Sequence, residues 1–109
     1  MATALAADIK DLEASAAEAS KLLSALANER RLLILCQIAD REMSVGEIQE
    51  LIGISQSALS QHLAVLREQG LVATRREAQT IYYRLADPAA QRIIETLAEI
   101  YCPPAAKRR

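Results

Sequence analysis

Residues 44–70 constrain the fold of this chain more than any other stretch, because they carry the start and stop signals of two short helices in succession. Ser44, with Glu47 three residues later, matches a capping box at a helix start. Gly53 supplies the left-handed residue that commonly follows a helix end. Ser55 then caps a second helix, which Gly70 ends. Two helices joined by so short a turn predict a helix-turn-helix over residues 44–70.

A hairpin is predicted directly after these helices, in residues 71–85. Its two strand-like runs cover residues 71–75 and 80–85, separated by the turn Arg76-Glu77-Ala78-Gln79. Ile81, Tyr83 and Leu85 alternate toward one face, as in a half-buried strand. This hairpin would form a wing beside the two helices. Asp87-Pro88 then begins a last helix, with Asp at the cap and Pro at the first position.

The aliphatic composition favours helices around this hairpin. Hydrophobic residues make up 51% of the 109 residues, yet aromatic residues make up 3%, with no Trp or Phe. The core therefore has to come from Leu, Ile, Val and Ala. The sequence predicts a mainly α fold with a small β-hairpin: a winged helix-turn-helix with five helices and a two-stranded wing, forming a single domain over residues 1–109.

Apolar stripes mark the remaining helices. A seam with steps of three and four residues runs through the first helix and leaves open whether it packs on its own core or on a second chain. Asn28 caps the second helix. The predicted stripes are Leu5, Ile9, Leu12, Ala16, Ala19, Leu23 and Leu26; Leu32, Leu35, Cys36 and Ala39; Val45, Ile48, Leu51 and Ile52; and Ala90, Ile93, Ile94, Leu97, Ile100 and Tyr101.

The second helix of the helix-turn-helix carries the candidate DNA-reading face. When its leucines, Leu59, Leu63 and Leu66, point inward, small and amide side chains point outward. Hydroxyl and amide groups there can hydrogen-bond base edges in the major groove, and wing residues can reach phosphates or the minor groove. The predicted DNA-binding residues are Gln56, Ser57, Ser60 and Gln61, with Arg67 on the flank and Arg75, Arg76 and Gln79 in or beside the wing turn.

The distribution of charge along the chain agrees with a DNA-reading role for residues 55–85, although the whole chain has a formal net charge of -1. Residues 1–54 hold nine acidic and five basic side chains, whereas residues 55–85 hold four arginines and two glutamates. A basic segment on an acidic scaffold is typical of a nucleic-acid reader with a separate assembly surface. His62, the only histidine, lies beside the buried stripe, and we expect it to pack rather than act as a switch.

These motifs together resemble the ArsR/SmtB family of bacterial repressors. The resemblance is carried by residues 26–32 (LANERRL), 55–63 (SQSALSQHL), Leu66-Arg67 and Gly70-Leu71-Val72, and it extends over about residues 20–101. It implies a homodimer built on residues 1–26 and 88–102, a helical dimer interface, binding to an imperfect palindrome of double-stranded DNA, and release by an inducer. A cytoplasmic location is expected, since no apolar run approaches the ~20 residues that a membrane helix needs.

The residues argue against a metal as the inducer, and the family resemblance implies a thiol-based one. Many family members sense metals through two cysteines in the third helix, but residues 42–46 here read Glu-Met-Ser-Val-Gly, and residues 88–101 contain no histidine. Zinc and thiophilic metals need three or four convergent ligands, so no metal and no cofactor is expected. Cys36 and Cys102 resemble the pair of the family's dithiol subgroup, which responds to reactive sulfur species or oxidants, and that resemblance implies that they are the sensing residues.

Other interpretations remain open at this stage. Cys36 on an apolar stripe also suits a small buried hydrophobe, so the chain could be a repressor with a different inducer or none, its cysteines being structural. An enzyme is poorly supported, because the chain has one His, no Gly-rich phosphate loop and no pocket-forming carboxylate cluster. A protein-interaction module that binds no DNA is the third possibility.

Overall fold

The computed structural model describes residues 8–102 and, within them, a winged helix-turn-helix. Five helices are present in this range: α1 (Ile9–Leu26), α2 (Glu29–Ile38), α3 (Val45–Ile52), α4 (Gln56–Glu68) and α5 (Pro88–Tyr101). Three strands accompany them: β1 (Met43–Ser44), β2 (Val72–Glu77) and β3 (Thr80–Leu85). The predicted fold class is confirmed. The predicted start of the first helix, with Leu5, lies outside the described residues.

The helix-turn-helix, α3 and α4, begins and ends at the predicted residues. The Ser44 hydroxyl accepts a hydrogen bond from the Glu47 backbone N–H at 3.1 Å, and the Glu47 carboxylate accepts one from the Ser44 backbone N–H at 2.8 Å. Gly53 follows α3 in the left-handed region, with φ 76°. The Ser55 hydroxyl accepts from the Ala58 backbone N–H at 3.1 Å and so caps α4. These local hydrogen bonds fix the turn between the two helices.

The core is organised around α2, which contacts α1, α3, α4, α5 and β3. Its fully buried side chains are Ile34, Leu35 and Ile38. The predicted stripe is wrong at Cys36, which is exposed, and it misses Ile34 and Ile38. Residues 32–35 are apolar without interruption, so their periodicity alone does not select a face. Contacts with the five neighbouring elements decide which face of α2 is buried.

The exposure of Leu51 on α3 also differs from the prediction. Leu51 was expected in the core, yet 56% of its surface is exposed, whereas Ile48 on the same helix is fully buried. A helix packed on one side of a small domain buries a single stripe, and Leu51 falls outside it.

The strands form one antiparallel sheet in the order β1-β3-β2. Strand β1, which pairs Met43 with Tyr83, was not predicted, since two residues show no period to detect. Strand β2 continues to Glu77, which pairs with Thr80. The predicted four-residue turn is therefore too long, and residues 78–79 alone connect the strands. Ala78 takes a left-handed conformation there, with φ 57°.

Apolar side chains remain on the outside of α1 and α5. Asp87 caps α5, and Ala90 and Ile94 of that helix are fully buried. At its far end, however, Ile100 and Tyr101 are exposed. The seam of α1 is mostly exposed as well: Leu26 is buried, whereas Ile9, Ala16, Ala19 and Leu23 face outward. A single chain thus leaves the apolar seam of its longest described helix uncovered.

Candidate nucleic-acid interface and cysteine pair

The outer face of α4 carries the predicted reading residues. Leu59, Leu63 and Leu66 are buried on the opposite side, which fixes the rotation of the helix about its axis. The side chains of Gln56, Ser57, Ser60, Gln61 and Arg67 are all exposed. An α-helix with small and amide side chains on its outer face has the dimensions and the hydrogen-bonding groups to enter the major groove.

A groove between α4 and the wing brings several of these residues together. Gln56, Ser60 and Arg67 line it from α4, and Gln79 lines it from the wing turn. The beginning of α3, including Ser44 and Gly46, forms a further wall, which the sequence analysis did not include. The role of Ser44 as a helix cap is visible in the sequence, whereas its position beside α4 depends on the tertiary arrangement. The groove thus combines amide, hydroxyl and guanidinium groups from three elements.

The two neighbouring wing arginines lie on opposite faces of the sheet. Arg75 pairs across the strands with Tyr82, and Arg76 pairs with Ile81. Successive residues of a strand point to opposite faces. Ile81 lines the groove beside α4, so Arg76 belongs to the face that continues toward the reading helix. Arg75 belongs to the other face.

Arg75 is held by two carboxylates and an aromatic ring. Its Nε and Nη2 donate to the Glu42 carboxylate, at 3.0 Å and 2.8 Å, and its Nη1 donates to Glu77 at 3.0 Å. The guanidinium carbon lies 4.6 Å from the centre of the Tyr82 ring, within the range of a cation–π contact. The hydrogen bonds from Arg75 lower the pKa of the Glu42 carboxyl and raise the pKa of Arg75 further above its usual range.

The two cysteines belong to different helices and are close enough to interact electrostatically. Cys36 lies in α2 and Cys102 caps the C-terminal end of α5; both are free and exposed. Burial of part of the Cys36 side chain raises the pKa of its thiol, and the nearby Cys102 raises it further. Since α2 packs directly against α5, the helices that carry these two residues are neighbours, although the residues are far apart in sequence. Cys36 is thus disfavoured as a thiolate at neutral pH.

The part of the chain that the structure describes has neither a metal-ligand cluster nor a membrane-spanning helix. Among residues 8–102, no three His, Cys, Asp or Glu side chains cluster in a way that could hold a metal ion. None of the helices in that range combines the length and the apolar character required to cross a membrane.

Comparison with known proteins places this architecture among bacterial regulators. The family model for bacterial regulatory proteins of the arsR family matches residues 28–74. The transcriptional activator HlyU of Vibrio cholerae is 52% identical over 87% of this chain and 88% of that protein. The biofilm growth-associated repressor of Agrobacterium fabrum is 50% identical over 85% of this chain and 80% of that protein.

Solved structures agree with the sequence comparisons. The structure of reduced HlyU from Vibrio cholerae superposes with a TM-score of 0.84 and 53% identity, over 85% of this chain and 98% of that chain. A homodimeric winged helix-turn-helix DNA-binding domain from Mycobacterium bovis, described as a possible ArsR-family regulator, has a TM-score of 0.73 and 32% identity, over 87% of this chain and 88% of that chain.

Proposed function

This chain belongs to the ArsR family of bacterial transcriptional regulators, and on that premise we propose that it is a homodimeric repressor whose cysteine pair controls its release from DNA. The observation that carries the DNA-binding part is the orientation of α4. Its leucine stripe is buried, so its serine and glutamine side chains lie on the exposed face beside the wing.

All the predicted DNA-binding residues except Arg75 are given a role that their positions support. Gln56, Ser57, Ser60 and Gln61 hydrogen-bond to base edges in the major groove, because they lie on the outer face of α4. Arg67 and the wing residue Gln79 bind the DNA backbone, because both line the groove between α4 and the wing. Arg76 binds a phosphate or the minor groove from the wing face that continues toward α4.

The second copy of the chain packs on α1 and α5. Both helices expose apolar side chains in the single chain, including Leu23 and Ile100. A further shallow groove on α5, lined by Ile93 and Leu97, offers a complementary surface. The homodimeric state of the related Mycobacterium bovis domain supports this assembly. Two-fold symmetry then presents two α4 helices to two half-sites, which is why an imperfect palindrome is the expected operator.

Reactive sulfur species or oxidants link Cys36 to Cys102 and so relieve repression. A persulfide donor transfers its outer sulfur to one cysteine thiolate and leaves as a thiol. The thiolate of the other cysteine then attacks the inner sulfur, the Sγ of the persulfidated cysteine, forms the S–S bond between the two cysteines and expels the outer sulfur as hydrosulfide. Two thiols are oxidised and the donor is reduced to thiol and sulfide. With a peroxide, the first product is a sulfenic acid, and its reaction with the second thiol releases water.

The link acts on DNA binding through the helices that carry the two cysteines. Cys102 ends α5, one of the proposed dimer helices, whereas Cys36 lies on α2, which packs directly against α4. A covalent bridge between them ties the dimer scaffold to the body that holds the reading helix. We expect the bridged dimer to hold its two α4 helices at a spacing or angle that no longer fits both half-sites.

A titration of a duplex from the region upstream of the chain's own gene tests this proposal. Reduced, peroxide-oxidised and persulfide-treated protein are compared by fluorescence anisotropy, and intact mass records the bridge. The reduced form is expected to bind most tightly, and binding should weaken steeply as salt is added. Treated wild-type protein that keeps its affinity would contradict the switch.

Single cysteine variants provide the matched controls. Cys36→Ser and Cys102→Ser should bind the duplex as reduced protein does, and should keep binding after treatment with peroxide or persulfide. If both variants still lose affinity after treatment, the inducer acts elsewhere and the cysteines are structural. A reduced protein that binds no duplex at all would reject the DNA-binding function itself.

A further inference from the structure

Arg75 was predicted to bind DNA because it lies beside the wing turn, but its side chain is hydrogen-bonded to Glu42. Glu42 directly precedes β1 at one edge of the sheet, whereas Arg75 lies on β2 at the other edge. The central strand β3 separates them, so the two outer strands are about 10 Å apart. The Arg75 side chain crosses this distance over the ring of Tyr82 and reaches the Glu42 carboxylate.

This contact connects the wing to the beginning of the helix-turn-helix. Ser44, two residues after Glu42, caps α3 and pairs with Tyr82. Backbone pairing of β1 with β3 involves only residues 43–44 and 82–83. The ladder between β1 and β3 is thus very short. The Arg75 side chain adds a contact to Glu42, just before β1, and this contact comes from β2, which does not pair with β1.

The charges around Arg75 leave it poorly suited to bind a phosphate. Two carboxylates, those of Glu42 and Glu77, lie at hydrogen-bond distance from one guanidinium. Arg84, which acts on Glu42 from farther away, brings the local sum to neutral rather than positive. Arg76, by contrast, forms no ion pair with any residue in the described range and lies on the face toward the groove. The two adjacent arginines thus have different electrostatic surroundings.

We propose that Arg75 is a positioning residue, which fixes the angle of the wing by joining β2 to the start of α3, and that Arg76 is the wing arginine that binds the DNA backbone. This inference rests on the proposed DNA-binding function and deepens it. The planar guanidinium is needed because it makes a forked contact with Glu42 while it stacks on Tyr82, and a lysine ammonium cannot make the forked contact.

Salt dependence of DNA binding separates the two roles. Each phosphate contact contributes about 0.9 to the slope of log affinity against log salt concentration. The proposed dimer carries two wings, so Arg76→Gln is expected to lower this slope by about 1.8. Arg75→Gln is expected to weaken specific binding by roughly a few-fold while leaving the slope unchanged. A slope that falls equally in both variants would overturn the proposal.

The conservative variant Arg75→Lys gives a second, independent readout. A lysine binds phosphate as a point charge, so it should restore affinity if Arg75 contacts DNA. If Arg75 positions the wing, Arg75→Lys should bind no better than Arg75→Gln. Glu42→Gln should show the same unchanged slope, and the double variant should lose no more affinity than Arg75→Gln alone. Full rescue by lysine, or multiplicative losses in the double variant, would count against positioning.

Amide hydrogen exchange tests the contact without DNA. Exchange at residues 43–44 and 82–83 should accelerate in Arg75→Gln and in Glu42→Gln but not in Arg76→Gln. Unchanged exchange in the first two variants would overturn the proposal even if DNA binding is intact. If wild-type protein binds no duplex, the proposed DNA-binding function is wrong. The exchange experiment would still show whether Arg75 holds the wing, because it uses no DNA.

Discussion

Ser44 and Glu47 bind each other's backbone: each side chain accepts the N–H of the other residue, at 3.1 Å and 2.8 Å. Replacing Ser44 by alanine removes one of these bonds and should lower the free energy of unfolding by about 1 kcal/mol. Urea denaturation followed by circular dichroism measures this loss. Glu47→Gln, which keeps an acceptor, serves as the control and should change stability by less than about 0.5 kcal/mol. A Ser44→Ala protein as stable as wild type would contradict the contribution of the cap.

Gln61 should contribute to sequence recognition, because its side chain is exposed on the reading face of α4. Gln61→Ala is expected to reduce operator affinity by about 1–3 kcal/mol per half-site and to relax the preference at one base pair of each half-site. Gln69→Ala is the matched control, since Gln69 is also exposed but lies at the C-terminal cap of α4. Competition binding with single-base operator variants measures both effects. Equal losses in the two variants would argue against a base contact by Gln61.

Ala78 should be replaceable by glycine with a gain in stability. Its φ of 57° lies in the left-handed region, which costs a non-glycine residue roughly 1–2 kcal/mol. After subtracting the larger backbone entropy of glycine, Ala78→Gly should stabilise the fold by up to about 1 kcal/mol. Ala73→Gly, in the regular part of β2, should instead destabilise it. A lower urea concentration at the midpoint of unfolding of Ala78→Gly would contradict the stabilising effect of glycine at this position.

Cys36 should be alkylated slowly at neutral pH. Burial and the neighbouring Cys102 raise the pKa of the Cys36 thiol, so its thiolate fraction at a given pH is smaller than that of an ordinary cysteine. Its reaction rate with iodoacetamide, followed by peptide mass spectrometry, should rise with pH at a midpoint above that of an ordinary cysteine. The variant Cys102→Ser should move that midpoint down, because one of the two causes is removed. A midpoint at or below the ordinary value would contradict the burial effect.

One charged side chain on α1 should dissociate the proposed dimer. Leu23→Glu places a carboxylate on the exposed seam, where 54% of the native leucine is accessible in the single chain. The monomer core should tolerate it, whereas a dimer that covers this seam should dissociate. Light scattering after size exclusion measures the mass. Leu51→Glu is the control, because Leu51 is 56% exposed on α3, away from the proposed interface. Identical masses for both variants would place the interface elsewhere.

Sequence reasoning succeeded where the signal is local. The caps at Ser44, Ser55 and Asp87 and the left-handed Gly53 were predicted, because each depends on residues within one helical turn. The buried face of α4 was also predicted, since its three leucines are separated by polar residues. The orientation of the reading residues follows from those leucines alone.

Features that depend on tertiary contacts were missed. The partner of Arg75 is Glu42, 33 residues away, and no local pattern connects them. The wing turn was predicted too long because Arg76 and Glu77 look like loop residues, although they pair with Ile81 and Thr80. The exposure of Cys36 was missed because α2 is apolar on several sides and its neighbours decide which side is inward.

The position of α2 at the centre of the domain has a mechanical consequence. One turn of this helix carries Cys36 on the outside and Ile34, Leu35 and Ile38 on the inside, and these three have essentially no free surface. A close-packed interior has little compressibility, so it cannot absorb a displacement locally. Under the function proposed above, we expect a pull applied to the outer thiol to pass through these packed aliphatic side chains to α4, so that a modification at the periphery shifts the proposed reading surface as a unit.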